Sequence, residues 1–389
     1  METTPTQGPR AGSRWPAERE TYDDPHTGAT VHRLTTRADS RDRHLYFTAD
    51  GWFDGGEKLL LRCVRNGRAN LFACDLETGE LVQLTDLPGG VGRPTRVADG
   101  ETFFGYSADP ERYDSDAIVA LDVETLELRT VVEKPAGYED YGFGVDDVLA
   151  DDEGLLVSLG ERTDAEGHEA TRASYPHCAV FTVPTDGGDP TLVHEEEHWI
   201  SHVNASPTDP TLFTYCHEGP WDNVDNRIHV CDLGTDERYR LRETGADEAV
   251  GHEFWLADGE TVGYHGWRGS REDPESFFGT VRYDDTDRRE TPIPVRATHC
   301  HAQERDRFVC DGDTSLPHLL LFDVDEEGGT AGPRVLATHA WDADSPHPHA
   351  RMSPDGETVA FDADPTGDAD VFLAEVPEDT ATLPELREN

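Results

Sequence analysis

A chain of 389 residues with 81 acidic side chains against 33 basic ones carries a formal net charge of −48. Lys58 and Lys134 are its only lysines, so no basic stripe exists to displace counterions from a phosphate backbone, and nucleic acid is excluded as an expected partner. The acidic residues are spread along the whole chain, the pattern of a surface built for molar salt, and no apolar run is long enough to span a membrane.

Taken in chain order, the segment 1–19 lacks an apolar stretch and reads as a flexible tail. Asp24 is followed by Thr27-Gly28 and the strand-like run Ala29 to Thr35. His44 then precedes the turn Asp50-Gly51, and Leu59 to Cys63 and Asn70 to Asp75 are two apolar, β-branched or aromatic runs joined by a polar loop. Thr78-Gly79 and the run Glu80 to Thr85 repeat the spacing seen after Asp24. Turn signals recur at Asp99-Gly100 and from Asp151 to Gly154. They recur again at Thr208-Asp209 after His202, at Asp258-Gly259 after His252, at Asp306 after His299 and His301, and at Asp355-Gly356 after His347 and His349. The seven turns are spaced by about fifty residues, the interval of propeller blades.

This pattern predicts an all-β chain, a seven-bladed β-propeller with about four short strands per blade. The last blade runs out after Phe372 to Val376 without an outer strand. The N-terminal segment is therefore expected to supply one and to close the ring, which also protects strand edges. Residues 20–377 are read as one propeller domain and 378–389 as a second tail. With no signal peptide and no membrane span, the expected location is the cytoplasm. Seven scattered cysteines without a CxxC spacing read as mostly reduced strand residues, with Cys300 pointing away from the face used by its two histidine neighbours.

Five histidine positions at nearly the same distance ahead of a turn should converge if the blades are equivalent, because the first strand of each blade lines the channel. His347-Pro348-His349 places two imidazoles at i and i+2, on one face of an extended segment. His299-Cys300-His301 offers the same spacing in the neighbouring blade, and Asp344 adds a carboxylate. Such imidazole and carboxylate donors suit a divalent metal: manganese, iron, zinc or nickel. His252 is placed to act as a general base. Arg227, between the loop Glu218 to Asn226 and the next strand, can grip a substrate carboxylate, with His217 and His202 as further substrate contacts. At molar salt the Debye length falls to about 3 Å, so the acidic surface does not exclude an anionic small substrate.

The stretches Cys216-His217-Glu218-Gly219-Pro220 through Arg227, His252-Glu253-Phe254-Trp255, Thr298-His299, and His347-Pro348-His349 with Ser353-Pro354-Asp355 resemble the oligogalacturonate lyase family. So does the opening Thr21-Tyr22-Asp23-Asp24-Pro25 with Thr27-Gly28. The resemblance implies a propeller that cleaves short galacturonides by β-elimination, with manganese (Mn2+) as cofactor. It implies His299, His347 and His349 as metal ligands, His252 as base and Arg227 as the substrate-binding arginine. The family has a glutamine where this chain has Asp344, and the segment after His301 is a residue shorter, so His301 competes with His299 for the ligand role. Two other readings keep the fold. One is a non-catalytic scaffold or binding propeller, which has no need of several channel-facing histidines. The other is a lyase for a different oligouronide, which Asp344 leaves open.

Overall fold

The computed structural model describes residues 4–65, 67–109, 114–270, 274–312, 315–325, 328–339, 347–365 and 367–386. Seven sheets follow one another along the chain, and every registered strand pair in them is antiparallel. This is an all-β, seven-bladed β-propeller. The sole α-helix among the described residues, His168–Ala173, lies in the connection between two strands of the third sheet. The strands form where apolar side chains dominate: Leu59, Leu60, Leu61 and Cys63 in Lys58–Arg65 are all buried.

The hairpin turns explain the spacing seen in the sequence. Asp75 accepts from the backbone N–H and the hydroxyl of Thr78, both at 2.7 Å, and Gly79 follows with φ 75°. Asp24 does the same for the N–H groups of His26 and Thr27 at 2.8 and 3.0 Å, followed by Gly28 at φ 76°. An aspartate that closes its own turn and a glycine free to take the left-handed region make the same hairpin twice. The strand after Asp24, Thr30–Arg33, pairs with Asp370–Glu375, so an N-terminal strand completes the seventh sheet as expected. Glu20–Asp23 adds a further strand outside it.

Contact density divides the chain into two compact units. The first comprises 1–13, 67–71 and 83–244, and the second 14–66, 72–82 and 245–389. In the first, apolar clusters form around Phe103, Phe143 and Phe181 and around Leu156, Phe213 and Tyr215. In the second, one cluster gathers Phe254, Phe278, Phe308 and Phe322, another Val31, Val359, Phe361 and Phe372, and a third Leu59, Phe72 and Leu373.

Among the described residues, both segments expected to be tails are docked. Arg14–Trp15 pairs with Leu81 and Val82, and the Trp15 ring stacks edge-on to Phe72 at 5.9 Å. At the other end Leu383 is buried, and the backbone N–H groups of Val335 and Leu386 donate to the carbonyls of Pro384 and Pro333. Trp15 at one end and Leu383 with Leu386 at the other anchor these segments, too few to form a visible apolar stretch in the sequence. Cys300 and Cys310, opposite each other in register with Cα atoms 4.2 Å apart, form a disulfide, while Cys63, Cys74, Cys178, Cys216 and Cys231 are buried and not disulfide-bonded. No helix among the described residues is long and apolar enough to cross a membrane.

Candidate metal centre and active site

The histidines are presented by irregular backbone. Pairing of Glu248–Trp255 with Thr261–Gly269 jumps register between Gly251 and Phe254, which leaves His252 in a bulge. Ile200–Ala205 jumps in the same way between Ser201 and Asn204, around His202. His202, His252 and His349 have φ of 49°, 50° and 52°, a left-handed conformation that non-glycine residues avoid. A bulge of this kind takes a residue out of the ladder and re-aims its side chain. The expectation that His347 and His349 share one face of an extended strand is therefore corrected. Strand structure begins only at Arg351, and His349 reaches the site through its left-handed backbone conformation.

Within the second unit, His299, His347 and His349 each offer one ligand atom, and these atoms all lie within 4.8 Å of one another. His299 is buried, His349 half-buried and His347 exposed, so the group runs from the interior outward. The His299 Nδ1–H is engaged by Asp311 Oδ2 at 2.7 Å, which leaves Nε2 as the nitrogen for a metal. Partial desolvation by the surrounding protein, and after it the neighbouring His299, lowers the pKa of His347; the same two causes hold His349 well below the usual histidine range. Both are therefore neutral near pH 7, the form that ligates. Three imidazole donors fit a divalent first-row cation and leave coordination positions for an anionic oxygen ligand. Asp344, expected as a fourth ligand, lies outside the described residues.

His252 stands beside the triad, its ring centroid 4.3 Å from that of His299. Its Nδ1 is 3.1 Å from Nε2 of His265, a buried residue on the paired strand. If His252 donates from Nδ1, its Nε2 keeps a lone pair, as a base requires. Phe47 flanks both rings, 5.2 Å from His299 and 6.2 Å from His252, and Tyr46 packs edge-on to His349 at 4.8 Å. His301, the competing ligand, is turned elsewhere. It stacks on Phe254 at 5.0 Å and its Nδ1 accepts from the Met352 N–H at 3.3 Å.

Within the first unit, Arg227 is buried directly ahead of the strand Ile228–Asp232, and its carbonyl accepts from the His217 N–H at 3.1 Å. His217 Nε2 lies 2.7 Å from Glu196 and stacks on His198, with His229 at 4.1 Å between ring centroids. Burial, and after it the charge of His217, pushes His229 down to about 3. His202 sits in its bulge on the strand paired with the one that ends at His217. Arg227 and His217 are thus brought together locally.

Sequence reasoning missed Asp311 and His265. Each faces its partner only through hairpin register, Cys300 opposite Cys310 and Gly251 opposite His265. The available signal was a polar residue in or just after an otherwise apolar strand.

A propeller with a cluster of imidazoles at the start of consecutive blades defines a metal-assisted enzyme more readily than a scaffold, and comparison with known proteins places it among the polysaccharide lyases. A family model described as oligogalacturonate lyase matches residues 10–328, and the chain belongs to that family. It is 25% identical over 402 residues to the oligogalacturonide lyase of Pectobacterium atrosepticum, with 94% of this chain and 98% of that protein covered. It is 25% identical over 397 residues to the oligogalacturonate lyase of Dickeya dadantii, covering 92% and 96%. A solved structure of an oligogalacturonate lyase in complex with manganese superposes with a TM-score of 0.80 at 25% identity, over 95% of this chain and 99% of that one.

Proposed function

We propose that this protein cleaves short oligogalacturonides by β-elimination at a divalent metal centre, most readily manganese, held by His299, His347 and His349 with Asp344 as a fourth ligand. The observation that carries the reading is the three-imidazole cluster with His252 against it. The C5 proton of a uronate is weakly acidic because its carboxylate is already negative. A bound cation supplies charge that neutralises this carboxylate and stabilises the negative charge growing on its oxygens. Arg227, whose guanidinium suits a carboxylate, and His217 and His202 are assigned to substrate binding.

His252 takes the C5 proton on Nε2 while Nδ1 stays hydrogen-bonded to His265. The electron pair of the C5–H bond becomes the C4–C5 double bond, the C4–O bond breaks, and the departing oxygen is protonated. A positioned general base of this kind typically contributes about 10²- to 10⁴-fold. We further propose that the protein works in the cytoplasm at high salt. Five buried cysteines that are not disulfide-bonded and the dispersed negative charge support this.

The test is the ultraviolet absorbance of the 4,5-unsaturated product, followed in molar potassium chloride with digalacturonate and manganese and repeated with a chelator. A chelator-sensitive rise is expected. No rise with digalacturonate but one with another oligouronide would move the substrate assignment, and no rise with any oligouronide would favour a binding propeller.

A further inference from the structure

Asp311 has no solvent exposure, and both oxygens of its carboxylate are spent on one residue. Oδ1 accepts from the backbone N–H of His299 at 2.8 Å and Oδ2 from its Nδ1 at 2.7 Å. The Asp311 N–H in turn donates to the His299 carbonyl at 3.1 Å. These contacts extend the Cys300–Cys310 register by one residue and lock the two together. The Asp311 carbonyl accepts from His339 Nε2 at 3.0 Å, which ties the locked pair to the end of the strand Thr330–Thr338. A carboxylate wholly removed from water is costly to place unless its partners use it fully. The Oδ1 bond alone would hold the hairpin. The Oδ2 bond does something more specific, since it decides which ring nitrogen of His299 carries the proton and how the ring is turned.

We propose that Asp311 is the positioning residue of the metal centre: it holds His299 as the Nδ1–H tautomer and directs Nε2 to the cation. This rests on the reading of His299 as a ligand. An anionic partner also makes the imidazole a stronger donor, and loss of such outer partners typically costs about 10- to 100-fold in metal affinity. Asparagine keeps the shape of Asp311 but has one oxygen. If that oxygen serves the backbone N–H, its NH2 group faces Nδ1, favours the Nε2–H tautomer and blocks the ligating atom.

The experiment is titration of manganese into the metal-free full-length protein, followed by the electron paramagnetic resonance of the free ion, for the parent, Asp311→Asn and His299→Ala. Thermal unfolding is measured alongside. Asp311→Asn is expected to unfold near the parent temperature, to bind manganese about 10- to 100-fold more weakly, and to recover turnover at saturating manganese with little change in KM for digalacturonate. Unchanged affinity in Asp311→Asn, with binding lost in His299→Ala, would overturn the positioning role and leave the metal reading intact. Unchanged affinity in His299→Ala would instead remove His299 from the ligand set. Should Asp311→Asn fail to fold, the ring nitrogen shifts of His299 in the metal-free parent decide: the Nδ1–H form supports the proposal and the Nε2–H form overturns it.

Discussion

His252 and His347 are both imidazoles at one centre, yet the proposal gives them separable tasks. His252→Ala should abolish the ultraviolet signal with bound manganese unchanged, because a base is lost and no ligand. His347→Ala should lose metal and activity together. Activity retained in either variant would contradict the assigned role. A second prediction concerns His44, wholly buried, with Nε2 3.2 Å from the Pro348 carbonyl and 3.8 Å from Asp362 Oδ1. The pair is not ionic: burial pushes His44 down to about 4 and raises Asp362 well above the usual carboxylate range. An unfolded chain binds a proton at His44 near the ordinary value of 6.5, so the unfolded state holds more protons below that pH. The stability of neutral His44 is then fully present above pH 6.5 and lost as pH falls toward about 4. Urea midpoints across this window should fall more steeply in the parent than in His44→Gln. Parallel slopes would refute the buried neutral state.

The bulged first strand is the element on which the site depends. Left-handed backbone costs an L-residue roughly 1–2 kcal/mol, while glycine in an ordinary strand costs roughly 0.5–1 kcal/mol relative to alanine. At His202 and His252 the first term should outweigh the second. His202→Gly and His252→Gly are accordingly expected to be at least as stable to urea as the corresponding alanine variants, the reverse of the usual order in strands. A clear advantage for alanine would mean that the bulges relax. The recurring turns located these strands and their histidines, but not the bulges. A bulge exists only relative to a partner strand, and nothing in Gly251-His252-Glu253-Phe254 alone announces one. The same gap explains His349, which reaches the triad through a left-handed residue instead of the extended segment expected.

For the whole molecule the dominant quantity is charge. Even with arginines paired, such as Arg65 with Glu18 and Asp42, a net −48 leaves carboxylates that repel one another at low ionic strength. Screening shortens the Debye length from about 10 Å at 0.1 M salt to about 3 Å at 1 M. The thermal midpoint should therefore climb steadily with potassium chloride into the molar range. A flat or falling midpoint would mean that the acidic surface is not an adaptation to salt.

What the sequence alone determined were the properties carried by local pattern: seven recurring turns, short alternating strands, an N-terminal strand that completes the last blade, and the histidines at the heads of the blades. The tertiary structure decided what depends on register between distant segments. It separated His299 from His301, set Asp311 against His299 and His265 against His252, and joined Cys300 to Cys310. The physical reason is that turn chemistry and strand alternation act over a few neighbouring residues, whereas the partner of a buried polar atom is set by which strands pair and at what offset.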